Sequence, residues 1–207
     1  KISGGFQHQF QLYPELLSSS QFWGYCFASA FAAGTFFSFL GGGTFVGAVV
    51  YSLSPEVLGL YFAIPAFGFF LGTIFAGKYS TLIGIDNMIV IGLGILVLGL
   101  SVSLLLSFLG LGTAKTFFGF MALVGLGNGI CMPNATAGML AVKPSLAGTA
   151  SGLGGSIMIG CGALLSILAG FILTDGSTDI QLLIMMWFLS FCAIFVALST
   201  KLKSKLQ

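Results

Sequence analysis

Six apolar runs, each long enough to cross a bilayer, dominate this 207-residue chain. They cover approximately residues 22–47, 57–77, 87–109, 114–138, 147–173 and 179–200. A helix needs about 20 apolar residues to span the hydrocarbon core. Backbone amides find no water there, so each run must be a helix or a strand of a closed barrel. Runs of this length without period-2 alternation exclude the barrel. The sequence therefore predicts an all-α membrane protein of six transmembrane helices. Charge agrees: only 6% of residues are charged, against roughly 25% in soluble domains. So thin a polar coat cannot cover a water-facing surface.

The breaks between the runs carry turn signals. Ser54-Pro55-Glu56 reads as a helix start, with a serine N-cap, proline in the first turn and an acid beside it. The segments Gly77–Thr81, Gly110–Thr113, Lys143–Ser145 and Asp175–Asp179 separate the later spans. Every basic residue is a lysine. On this path Lys1, Lys78, Lys143, Lys201, Lys203 and Lys205 share one side, and Lys115 lies on the other with Glu56, Asp175 and Asp179. The positive-inside rule makes the lysine-rich side, and both termini, cytoplasmic.

Chemistry-bearing clusters are missing from the sequence. Cys26, Cys131, Cys161 and Cys192 lie apart in apolar stretches and read as small apolar residues rather than ligands. His8 stands alone on a polar lead-in. Neither a metal site, a cofactor nor an enzyme's nucleophile–base pair is expected.

The second and fifth spans open alike, Pro55-Glu56-Val57-Leu58-Gly59 and Pro144-Ser145-Leu146-Ala147-Gly148. This points to an inverted 3+3 repeat of helices. The fifth span carries small residues four apart: Gly148 and Gly152, Ser151 and Gly155, Ser156 and Gly160. Such spacing lets helix backbones approach closely, or gives a smooth face that slides during transport. In the fourth span, Gly125-Leu126-Gly127-Asn128-Gly129 leads to Pro133-Asn134. A nucleotide-binding loop is rejected, because no strand precedes it. Pro133 should instead kink or break the helix near Gly129. Asn128 and Asn134 are costly in lipid and should face protein or a water-filled cavity.

Candidate substrate-binding residues follow from mixed character. Tyr25, Phe31, Thr35 and Ser38 share a face of the first span that combines aromatic rings with hydroxyls. With Asn128, Met132 and Asn134 on the fourth span they would suit an amphiphilic ligand; the competing reading of the aromatics is packing. No span core holds an ionisable group other than a cysteine or tyrosine. A proton carrier needs a titratable group in the membrane, so this chain alone should not couple transport to protons.

Several stretches resemble the second half of Bcr/CflA-type drug:proton antiporters of the major facilitator superfamily. They are Phe22–Tyr25 with Gly34–Phe39, Tyr61–Pro65 with Phe67-Gly68, the Gly77-Lys78 turn, and Gly125–Gly129 with Pro133–Ala135 and Ala147–Gly152. The Gly148-Thr149-Ala150-Ser151-Gly152 block is the most specific. The resemblance spans roughly residues 20–200. It implies a twelve-helix parent in two halves with a drug cavity between them, in a bacterial inner membrane. This chain would then comprise an inter-half lead-in over 1–20, a six-helix half over 21–200 and a basic tail over 201–207. The implied activity is multidrug efflux by proton antiport, which underlies antibiotic resistance. The implied proton site and loop motif belong to the other half. Rival readings are a sugar or metabolite transporter of the same superfamily, and a self-contained six-span channel or scaffold that dimerises.

The topology is testable. With the four native cysteines replaced, a membrane-impermeant thiol reagent added outside cells should label Ser177→Cys and miss Tyr79→Cys; the reverse pattern would invert the orientation.

Overall fold

The structure, a computed structural model, describes residues 14–206. His8 and Lys1 lie outside the described residues. A short helical segment over 14–18 precedes six long helices. They are α1 (Ser20–Phe45), α2 (Pro55–Ile83), α3 (Ile85–Phe108), α4 (Ala114–Val142), α5 (Ala147–Ile172) and α6 (Asp179–Leu206). All six are long and apolar enough to cross a membrane, and no strand occurs among the described residues.

Local chemistry explains most ends. The Ser19 hydroxyl accepts from the Phe22 amide and caps α1. A reciprocal capping box between Thr113 and Thr116 starts α4. Ser54 occupies the expected cap position of α2, yet its side chain makes no capping bond to the helix. The Gly77–Thr81 segment, expected as a loop, is helical. Ser80 returns its hydroxyl to the Ala76 carbonyl at 2.6 Å, so its polarity is satisfied within the helix. The chain turns only at Gly84, whose φ of 89° disfavours residues with a side chain. α6 likewise continues to Leu206, through most of the expected separate tail. α4 runs unbroken through Pro133, so the break expected near Gly129 is not seen. α1 ends in a π-helical turn, Val46–Val50, followed by Ser52 at φ 51°.

The packing repeats under a shift of three helices. α1 lies mainly against α5 and α6, and α4 lies mainly against α2 and α3. The contacts α1–α4 and α3–α6 close the centre. Exchanging the first three helices for the last three maps this pattern onto itself, which is what a 3+3 repeat requires. More than half of the α4 span is buried, against 11% for α5.

Lipid supplies little hydrophobic drive to bring helices together, so close packing must. Gly68 and Gly72 of α2 face Gly125 and Gly129 of α4. A Cβ at Gly68 would run into the Ala122 carbonyl, and one at Gly125 into the Pro65 carbonyl. At Gly72 it would lie 2.9 Å from the Gly129 Cα. Gly92 of α3 meets α4 in the same way, 2.9 Å from the Cys131 amide. Aromatic packing takes over toward the Lys115 end, where the Phe39 ring lies tilted 4.9 Å from Phe62 and edge-on 6.0 Å from Phe118. Outward positions such as Leu60, Leu82, Phe171 and Phe195 are exposed, as lipid contact requires.

Backbone-to-backbone contact makes these glycines irreplaceable. Gly72→Val should destabilise the purified protein by about 1–3 kcal/mol through overpacking, read as a fall in thermal midpoint. Gly94→Ala, where nothing lies within 4 Å, should leave that midpoint unchanged or raise it.

Candidate functional site

Hydroxyls inside a membrane usually bond back to their own helix, and most here do. Ser29, Thr35 and Ser38 of α1 donate to the carbonyls of Cys26, Ala32 and Gly34 at 2.9, 2.6 and 2.7 Å. All three are buried. Asn128 is different. From α4 its Nδ2 donates to the Val124 carbonyl at 3.1 Å and reaches across to Thr35 Oγ1 at 3.5 Å. Its Oδ1 is buried without a partner. An unsatisfied buried acceptor costs about 1–3 kcal/mol, so this amide is the polar anomaly at the α1–α4 crossing.

The seven candidate substrate-binding residues therefore divide. Thr35 and Asn128 meet at the crossing, and Ser38 lies on the same buried stretch of α1. Tyr25 and Asn134 line a separate cavity of about 700 Å³ at the Gly84 end, together with Pro133. Asn134 is buried and donates to the Ile130 carbonyl at 2.8 Å. Phe31 packs beside α3 and α4 residues, including Ile89 and Cys131. Met132 is half-buried; neither Phe31 nor Met132 lines the cavity.

The four conformational positions also separate. Gly129 carries the α2–α4 contact. Pro133 is exposed on the cavity wall. Gly148 and Gly152 of α5 have nothing within 4 Å of an added Cβ, and the same holds for Gly155 and Gly160. No helix of the described chain covers that small-residue face. Close glycine packing lies elsewhere, on α4 and at Gly41 of α1, where a Cβ would meet the Ser166 carbonyl of α5.

Two carboxylates stand at helix starts, and it is their partners that a sequence reading misses. Asp179, expected in a loop, begins α6 and is 7% exposed. It accepts from the Tyr51 hydroxyl at 2.8 Å and the Ser107 hydroxyl at 2.5 Å. Burial, and then that bond to Asp179, push the Tyr51 hydroxyl above its usual value, so it remains a donor. Asp86, in the first turn of α3, accepts from Tyr25 at 2.7 Å. Both acids occupy first turns, where the helix dipole favours them. Nothing in local spacing ties Tyr25 to a residue 61 positions away. Nearby, Lys143 pairs with Glu15. Among the described residues no group of three His, Cys, Asp or Glu could hold a metal ion.

No family model matches the chain, and no solved structure does. Among curated proteins the chain is similar to the bicyclomycin resistance protein homolog of Haemophilus influenzae, at 29% identity over 152 residues. That stretch is 73% of this chain and 38% of the relative, so the match covers well under half the relative's length. The similarity is to a resistance protein and not to an enzyme. Together with the six apolar helices, it describes a multi-pass membrane protein related to a drug-resistance protein.

Proposed function

We propose that this chain is the C-terminal six-helix half, over 21–200, of a twelve-helix major facilitator superfamily exporter. The transporter expels neutral or weakly cationic amphiphilic compounds by proton antiport across a bacterial inner membrane. The observation that carries the reading is the similarity to a bicyclomycin resistance protein, which covers most of this chain but only 38% of the relative. Two structural features support it. The uncovered glycine face of α5 suits contact with a further helical body. The Thr35–Asn128 crossing offers a polar contact deep among apolar walls, as an amphiphile requires.

In this reading the 1–20 segment links the halves, and the lysine-bearing ends and both termini face the cytoplasm. The coupling proton is carried outside this chain. Its acids with described positions, Glu15, Glu56, Asp86, Asp175 and Asp179, lie near helix ends or in turns. Asn128, the polar group at mid-span, does not titrate. Tyr25, Phe31, Thr35, Ser38, Asn128, Met132 and Asn134 contribute to the substrate path, and Gly129, Pro133, Gly148 and Gly152 to its movement.

The test is efflux of a fluorescent amphiphile from cells expressing the full-length product of the gene. Export should stop when an uncoupler collapses the proton gradient. Asn128→Ala should slow it by about tenfold, the worth of one buried hydrogen bond, with membrane abundance unchanged. Export that ignores both the uncoupler and the Asn128 substitution would refute the reading.

A further inference from the structure

The exit of α1 departs twice from regular geometry. Val46–Val50 forms a π-helical turn, in which the Tyr51 amide reaches back five residues to the Val46 carbonyl at 3.0 Å. An α-helix would pair that amide with the Gly47 carbonyl instead. The next residue, Ser52, has φ 51° and is the one non-glycine with a positive φ among the described residues. That region costs free energy for a residue with a Cβ. The two irregularities flank a single side chain, Tyr51, and what they set is its aim. One residue added to a helical turn re-aims whatever follows by about 100°. In this register the Tyr51 ring lies 6.0 Å from Phe117, and its hydroxyl reaches Asp179 at 2.8 Å. The Ser107 hydroxyl, at the end of α3, donates to the same carboxylate oxygen, Oδ2. Asp179 is 7% exposed, and among the described residues it forms no ion pair. A buried carboxylate without a cation depends on such donors.

The backbone and the side chain therefore compete. In plain α register Tyr51 would turn away from Asp179, so the exit can have regular geometry or the bond, and not both. We propose that the exit of α1 is a two-state latch. In the latched state the Tyr51–Asp179 bond holds the π turn and the Ser52 conformation, and pins the α1–α2 connection to the start of α6. In the released state the turn rewinds to α register, Ser52 leaves the left-handed region, and Tyr51 swings off the acid. Strain kept at a backbone outlier is characteristic of segments that switch, and two discrete packings are what a conformational step uses. Release is not confined to α1. Val46 is fully buried, and a Cβ at Gly47 would run into the Leu58 side chain of α2, so rewinding this turn must also shift the start of α2. The latch goes beyond the export reading and rests on it only for its use in transport.

The experiment is electron–electron distance measurement on the full-length protein, with the native cysteines replaced and spin labels at Glu56→Cys and Asp175→Cys. Both positions are exposed and stand on the α2 and α6 sides of the latch. The otherwise unsubstituted chain should give one dominant distance. Tyr51→Phe and Asp179→Ala should each add a second, longer distance. Asp179→Asn, whose amide oxygen still accepts, should stay nearer the parent. Adding Ser52→Gly to Tyr51→Phe should draw the population back to the short distance, because glycine removes the strain that drives release. Ser190→Ala, which removes a bond within α6, should change nothing. A second measurement leaves the latch whole: Ser52→Gly alone should slow hydrogen exchange of the Tyr51 amide about fivefold. An unchanged distance in both Tyr51→Phe and Asp179→Ala would make the bond a static tie and overturn the latch. Equal or faster exchange in Ser52→Gly would overturn it too. These readings need neither substrate nor a proton gradient. Shifted distances without export of any compound would sink the export reading and leave the latch standing, and export with unshifted distances would do the opposite.

Discussion

Hydrocarbon offers no hydrogen bonds, and that single constraint orders this structure. Every backbone group within a span must be paired inside its own helix, and most hydroxyls follow the same rule. Ser29, Thr35 and Ser38 on α1, Thr73 on α2 and Ser190 on α6 all bond to a carbonyl one turn back. Groups that reach another helix are few, and they sit where the bundle is tied together. Tyr25 joins α1 to the start of α3 through Asp86. Tyr51, just beyond α1, joins it to the start of α6 through Asp179. α1 is thus held at both ends by the same chemistry, a phenol donating to a first-turn aspartate. Trp187 adds a bond from α6 to Ser101 of α3 at 2.9 Å.

With polar ties so sparse, shape does the rest. α4 is the axis on which α2 and α3 pack, and it reaches them through glycines that let backbones touch. The arrangement leaves α2 and α5 far less covered than α1 and α4. Exposed leucine and phenylalanine on α2 suit lipid. The glycine face of α5 does not, because small residues forfeit the dispersion contacts that lipid chains could otherwise make. That difference in chemistry is the physical ground for expecting protein against α5.

Much of this was legible in the sequence. Length and apolarity located all six helices, because the bilayer sets both. The glycine turn at 110 was read from the sequence; the one at 84 was harder to weigh. Gly77-Lys78 carried the stronger loop signal, yet Ser80 solves its polarity inside the helix, and of Gly77 and Gly84 it is Gly84 that adopts a positive φ. Gly125 and Gly129 were visible as glycines, but their fit to Gly68 and Gly72 depends on which faces meet, and local pattern does not encode that. The candidate face of α1, polar and aromatic in the sequence, serves two places. Thr35 points to the crossing with Asn128, and Tyr25 to the cavity with Asn134. The Tyr–Asp ties span 61 and 128 positions, beyond any periodic signal.

The most direct measurement concerns the uncovered face of α5. A nitroxide at Gly155→Cys, in full-length protein reconstituted into bilayers with the native cysteines replaced, reports collision with dissolved oxygen, which concentrates in lipid. A nitroxide at Phe195→Cys on the exposed face of α6 gives the lipid reference; Phe195 is 72% exposed. If α5 docks against a second helical body, oxygen collision at position 155 will be several-fold lower than at position 195. Equal collision at the two positions would place α5 in lipid and contradict the half-transporter architecture.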